Sequence, residues 1–188
     1  MFRSLLPRCR RGSLALALLL GLGLLPAVAG AQFVPLLPEA EEGTTSGSIL
    51  GGSSLGMTGV PTSFVLGHAY NYSLTGPLHL DLGAFVGLYE SLLVLRGVPG
   101  VKYDLHLASL PFVPYGKAGL AVDLLTGDAA GEQTLAVGVR LAAGLRQFFD
   151  RQLALGVELA TTFGLSAGEQ SQGAFGLEGL VSFEYHLD

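Results

Sequence analysis

The sequence predicts an all-β chain, an eight-stranded antiparallel up-and-down transmembrane β-barrel over residues 46–188, on three observations. Apolar residues recur at every second position in one segment after another, which is the period of a strand and not of a helix. Of the 188 residues 49% are hydrophobic and 13% charged, yet beyond the first thirty no run is long and apolar enough for a transmembrane helix. Tight connections alternate with longer ones, the pattern of barrels in an outer membrane.

The N-terminal segment reads as an export signal. Arg3, Arg8, Arg10 and Arg11 form a basic stretch, Leu14 to Leu25 an apolar one, and Pro26 ends it ahead of small residues. Of two cleavage sites, Ala27-Val28-Ala29 and Ala29-Gly30-Ala31, the second is preferred, so residues 1–31 are the expected signal peptide and Gln32 opens the exported chain. An uncleaved anchor helix is the alternative, disfavoured because the run is short and carries a proline. Cys9, the single cysteine, precedes the apolar stretch, so the exported chain has neither an acylation site nor a disulfide. Its stability must come from closure of the fold. Residues 32–45, with two prolines and then Glu39, Glu41, Glu42 and Gly43, read as a flexible periplasmic leader.

Four of the ten Lys and Arg residues fall within the signal and all fifteen acids fall after it. Six bases against fifteen acids leave the exported chain at a formal −9. Its bases, Arg96, Lys102, Lys117, Arg140, Arg146 and Arg151, are scattered singly, which excludes nucleic acid as a partner.

Strands are expected at about 47–58, 63–74, 77–90, 100–109, 112–125, 133–147, 152–163 and 174–187. The first is diluted by Gly51, Gly52, Ser53, Ser54 and Gly56. The third is the clearest: Leu78, Leu80, Leu82, Ala84, Val86 and Leu88 alternate with His79, Asp81, Gly83, Phe85, Gly87 and Tyr89. Residues 135–146 repeat that split, and a helix would set Arg140 and Gly144 among leucines. Most of these segments match the about 9–11 residues that cross a bilayer at a tilt. Thr75-Gly76-Pro77, Leu110-Pro111 and Asp150-Arg151 are tight connections, whereas 91–99, 126–132 and 164–173 are longer. The connection at 58–62 is short where a long one is expected.

A soluble calyx alternates too, so the composition of the two faces must say which points outward. The polar parity consists mostly of Gly, Ala and Ser, too small and too uncharged to clothe a barrel in water and suited to a narrow interior. Its charged members, Asp81, Lys102, Asp104, Lys117, Asp123, Arg140, Arg146, Glu158, Glu178 and Glu184, are expected to pair across the lumen. On the apolar parity, aromatic residues gather near strand ends as lipid-interface anchors. Phe64, Tyr103, Phe163 and Phe175 are assigned to the outer rim, and Tyr70, Tyr72, Phe112, Phe149, Phe183 and Tyr185 to the inner rim.

The stretches Pro111-Phe-Val-Pro-Tyr-Gly-Lys-Ala-Gly-Leu-Ala-Val and Ala143-Gly-Leu-Arg-Gln-Phe-Phe-Asp-Arg-Gln-Leu-Ala-Leu-Gly-Val-Glu-Leu, with the final strand, resemble small outer-membrane β-barrel proteins of the OmpA-like and opacity-type superfamily. The resemblance covers about residues 46–188. It implies residence in the outer membrane as a monomer, contact with membrane lipid and lipopolysaccharide, and insertion by the barrel-assembly machinery. Such barrels commonly end on an aromatic residue, whereas this chain ends Phe183-Glu184-Tyr185-His186-Leu187-Asp188. The loop acids Asp128, Glu132 and Glu169 are expected to meet divalent cations between lipopolysaccharides.

Chemistry is sparse. His79 with Asp81, and His106 with Asp104, are placed on the inward faces of neighbouring strands, where a hydrogen-bond network is favoured over a metal site. Glu158 and Glu178 are an inward carboxylate pair with Arg140 and Arg146 as expected partners. His68 falls on the apolar parity, where a titratable group facing lipid is costly. Lipid A deacylases of similar size pair such a histidine with a serine two residues on, and here that position holds Tyr70. No cofactor, metal or catalytic residue is expected. The leading reading is a non-enzymatic barrel with an envelope role; a lipid-modifying enzyme and a soluble lipocalin-like binder of an apolar ligand are the alternatives.

Overall fold

The structure, a computed structural model, describes residues 42–56, 63–88, 92–107, 110–127, 134–167 and 173–187. The expected signal peptide, most of the leader, the 58–62 connection and the loop acids Asp128, Glu132 and Glu169 lie outside the described residues.

Eight strands form, β1 (Thr45–Gly56), β2 (Ser63–Ser73), β3 (Leu78–Leu88), β4 (Leu93–Asp104), β5 (Val113–Thr126), β6 (Thr134–Phe148), β7 (Leu153–Ala167) and β8 (Gly173–Leu187). Each pairs antiparallel with the next and β8 returns to β1, from Thr45↔Leu187 to Gly56↔Gly176, so the sheet closes on itself. Closure pairs the backbone within the sheet and removes the free edges that would otherwise invite aggregation. Among the described residues no helix is long and apolar enough to cross a membrane.

Two expectations change. The sequence pattern extends the leader to residue 45, but β1 begins at Thr45. Ahead of it, Gly43 (φ 88°) donates its N–H to the Ser73 carbonyl at 3.0 Å, and the Ser73 N–H reaches Thr44 at 2.9 Å. The positive φ is open to glycine at no steric cost, and it turns the chain into the ladder.

The larger correction is β4. It spans Leu93–Asp104, not 100–109, so most of the expected 91–99 loop is strand. Pro99, flanked by Gly97 and Gly100, reads as a strand breaker because it has no N–H to donate. Its pairing with β3 nevertheless runs unbroken from Leu78↔Tyr103 to Leu88↔Leu93, Leu82↔Pro99 included. Toward β5 the register is interrupted between Gly97↔Val122 and Gly100↔Gly119. The missing donor therefore falls in a gap on one side of the strand and leaves the other side intact.

Strict alternation of burial follows. In β2 the residues from Ser63 to Ser73 are buried and exposed by turns along the whole strand. The interior holds an apolar layer of Leu50, Val65, Ala69, Phe85, Val98, Ala121 and Leu180, with Val113, Phe148 and Ala154 at the end shared with Thr45 and Leu187.

Candidate functional site

The inward parity delivers its charged residues into one narrow space, where two chains of ion pairs form. Nearer the N-terminal end of β1, His79 bonds Asp104 at 2.8 Å, Asp104 and Glu184 both bond Arg146, and Lys102 Nζ meets Glu184 at 3.1 Å. Ser46 donates to Glu184 at 3.3 Å, and His186 lies 3.0 Å from the same carboxylate. Lys102, Asp104, Arg146 and Glu184 are all buried.

The second chain lies higher in the barrel. Arg96 grips Asp123 through two bonds of 2.7 and 2.9 Å and also bonds Glu178. Arg140 bridges Glu178 at 2.8 Å and Glu158 at 3.3 Å. Lys117 then joins Glu158 at 3.2 Å to Asp81 at 3.3 Å. Fork-shaped guanidinium groups suit this role, because each can hold two carboxylates in fixed directions.

Tyr115 separates the two chains. Its hydroxyl donates to Glu158 at 3.1 Å, while Lys102 and Lys117 lie 5.1 and 5.6 Å from its ring centroid. The ring fits because the directly opposite residue is Gly144, where a Cβ would stand 2.3 Å from it. Phe85 uses Gly67 in the same way, at 2.2 Å, and carries Arg140 above its face at 4.9 Å. Beside Asp81, Lys117, Arg140 and Glu158 lies a cavity of about 10 Å³. That is room for about one water molecule.

All ten charged residues expected inside are thus brought together, and Arg96 joins them. Glu158 and Glu178 are separate arms of Arg140, each already neutralised, which is not the arrangement of an acid/base pair. His79 pairs with Asp104 rather than sharing a cluster with His106, which is exposed and lies past the end of β4. Among the described residues no group of three His, Cys, Asp or Glu could hold a metal.

The outer face is the reverse. Large apolar side chains stand out from every strand: Leu120 of β5 is 57% exposed, Leu159 of β7 65% and Val181 of β8 59%. Among the described strand residues, no Asp, Glu, Lys or Arg points outward, and His68 is the one histidine that does. Phe163 packs against Phe175 with the rings tilted and their centroids 4.9 Å apart, and Phe64 shares their rim. Tyr103 does not belong there: it pairs with Leu78, so it sits at the rim of Tyr70, Tyr72, Phe183 and Tyr185. A strand beginning at residue 100 would put Tyr103 near the outer rim, whereas β4 begins at Leu93 and brings it to its inner end. Phe112 and Phe149 sit in the tight connections at that same rim, Phe149 half exposed.

A barrel with ions inside and hydrocarbon outside inverts the order of a soluble protein, and water cannot be its solvent. The fold and the two faces define an integral outer-membrane β-barrel. Compared by sequence, the chain matches no family profile and no curated protein. Compared by structure, it is similar to the N-terminal β-barrel domain of Pseudomonas aeruginosa OprF, with a TM-score of 0.61 at 16% identity over 78% of this chain and 98% of that one. Neisserial surface protein A is similar at a TM-score of 0.60 and 12% identity, over 76% and 95%. The outer membrane enzyme PagL is similar at 0.52 and 18%, over 74% and 97%.

Proposed function

We propose that this chain is a non-enzymatic outer-membrane barrel with a closed lumen, serving the envelope as a structural element or through contacts made by its loops. The observation that carries this reading is the lumen itself. Eleven charged side chains and Tyr115 project into it and pair across it, which obstructs a solute path. Membrane lipid and lipopolysaccharide would surround the apolar belt, and the barrel-assembly machinery would insert the chain with its N-terminal rim toward the periplasm.

PagL is an outer membrane enzyme, which keeps the enzyme alternative in view, and for a lipid-modifying enzyme His68 is the residue it would need. Its ring nitrogen bonds the Tyr185 hydroxyl at 3.1 Å, and among the described strand residues no carboxylate points outward to orient it. A nucleophile-activating histidine wants both a nucleophile and an orienting acid within reach. The non-enzymatic reading is therefore preferred.

Reconstitution in planar bilayers tests the closed lumen. The folded protein is expected to show no stepwise conductance; regular single-channel steps would replace this reading with that of a pore.

A further inference from the structure

We propose that the lumen binds one monovalent cation at the buried end of its upper ion-pair chain, beside Asp81 and Asn71. The inference rests on the lumen being closed, which the conductance measurement tests on its own.

The upper chain carries a surplus acid. Read from the mouth inward it runs Asp123, Arg96, Glu178, Arg140, Glu158, Lys117, Asp81, acid and base by turns. An acid therefore stands at each end, and the two ends differ. Asp123 takes two bonds from the Arg96 fork and lies near water at the mouth. Asp81 is 5% exposed and is met by Lys117, which it shares with Glu158. The lower chain has no cation to spare for it. Lys102 and Arg146 are matched there by Glu184 and Asp104, and His79, two residues from Asp81 on the same face, is bonded to Asp104. An unmatched negative charge inside a barrel wrapped in lipid is costly, and a single positive charge cancels it.

The same place is short of hydrogen-bond partners. Asp81 Oδ1 accepts no hydrogen bond, Lys117 lying 3.3 Å away without the alignment of one. Directly opposite on β2, Asn71 is 2% exposed, and neither its Oδ1 nor its Nδ2 has a partner. On the β4 side of Asp81 room is left instead: the residue opposite is Gly100, which in turn faces Gly119 on β5. A Cβ at Gly100 would stand 2.5 Å from the Ala118 carbonyl oxygen, and one at Gly119 2.8 Å from that of Pro99, so neither position accepts a side chain. These two glycines and Asp81 line the cavity of about 10 Å³. It holds one water-sized species.

A hard cation suits this set of groups, because its ligands are carboxylate, amide-carbonyl and water oxygens. Asp81 Oδ1 and Asn71 Oδ1 supply the first two, and the cavity admits the third. Charge fixes the valence: one positive charge balances the chain, whereas a divalent ion would leave it as far out of balance in the other direction. Lys117 and Arg140 also border the cavity, but Glu158 engages both, and Glu178 holds Arg140 as well.

The test is urea unfolding of the full chain folded into phosphatidylcholine vesicles, at one pH and one ionic strength, with choline chloride replaced stepwise by sodium chloride. Choline is too large for the cavity. The urea midpoint is expected to rise with sodium and to saturate. Asp81→Asn balances the chain and is expected to abolish the rise. Asn71→Ala keeps the surplus acid and is expected to raise the half-saturating sodium concentration severalfold, and it decides the matter alone should Asp81→Asn fail to fold. Glu42→Gln, exposed ahead of β1, is expected to change neither quantity. A midpoint indifferent to sodium overturns the site and leaves a proton as the balancing charge. A rise that persists unchanged in Asp81→Asn or in Asn71→Ala also overturns it, because sodium then acts elsewhere.

Discussion

Arg140 and Leu141 are neighbours on β6 and live in different solvents. Arg140 is 3% exposed and holds two carboxylates across the lumen, while Leu141 is 45% exposed on the outer face. The same contrast recurs along every strand, and within the lumen there is a gradient as well. The lower chain through Arg146 and Glu184 is sealed, with side chains 4% and 6% exposed, whereas Arg96 and Asp123 at the upper end are 13% and 15% exposed. The difference teaches that a charge in this protein is tolerated according to how completely it is partnered and how near it lies to water, not according to its sign.

The comparison can be broken first at the sealed end. Glu184→Ala leaves Lys102 and Arg146 facing an empty position. Removing one partner of a buried ion pair typically costs about 3–5 kcal/mol, and this variant should lose that much in urea titrations of the barrel in lipid vesicles. An effect below 1 kcal/mol, by the same scale, means water already fills the lower lumen.

On the outer face the mirror-image change is Leu141→Arg, which sets a charge at the middle of β6. A lipid-facing arginine at the bilayer midplane costs about 2–4 kcal/mol, whereas the same change on a water-facing surface is nearly neutral. Urea titration of this variant sharpens which face meets lipid. Asp123→Asn should have the smallest effect, about 1 kcal/mol, because Arg96 keeps Glu178 and both lie near the mouth. A loss equal to that of Glu184→Ala would erase the gradient between the two chains.

Seven of the eight strands were legible to within a few residues because one face must be apolar and the other must not, and that demand is written at every second position. The lumen charges were legible for the same reason: on strands such as β3 and β6 the parity of Asp81 or Arg140 is unmistakable. β4 was not, because Pro99 between two glycines is the usual sign of a loop, and only the register shows that its missing donor falls in a gap. The same loop signal conceals Arg96, lifts Tyr103 toward the other rim and draws His106 into the strand. A signal for Arg96 did exist: Leu93, Leu95, Val101 and Tyr103 share one parity straight across the proline. Which carboxylate each cation takes was out of reach, since partners 18 to 82 residues apart are chosen by barrel closure. Nor could spacing show that Gly47, Gly67 and Gly144 stand opposite Tyr185, Phe85 and Tyr115, because those pairs exist only once the register is set.

The central claim is that this chain forms a closed barrel with its apolar parity in lipid. Gel mobility of the outer-membrane fraction, with and without boiling, tests it most directly. The account predicts a band in that fraction whose mobility shifts on heating, as a detergent-resistant barrel unfolds; an unshifted band in the soluble periplasmic fraction would contradict it and turn the apolar face inward.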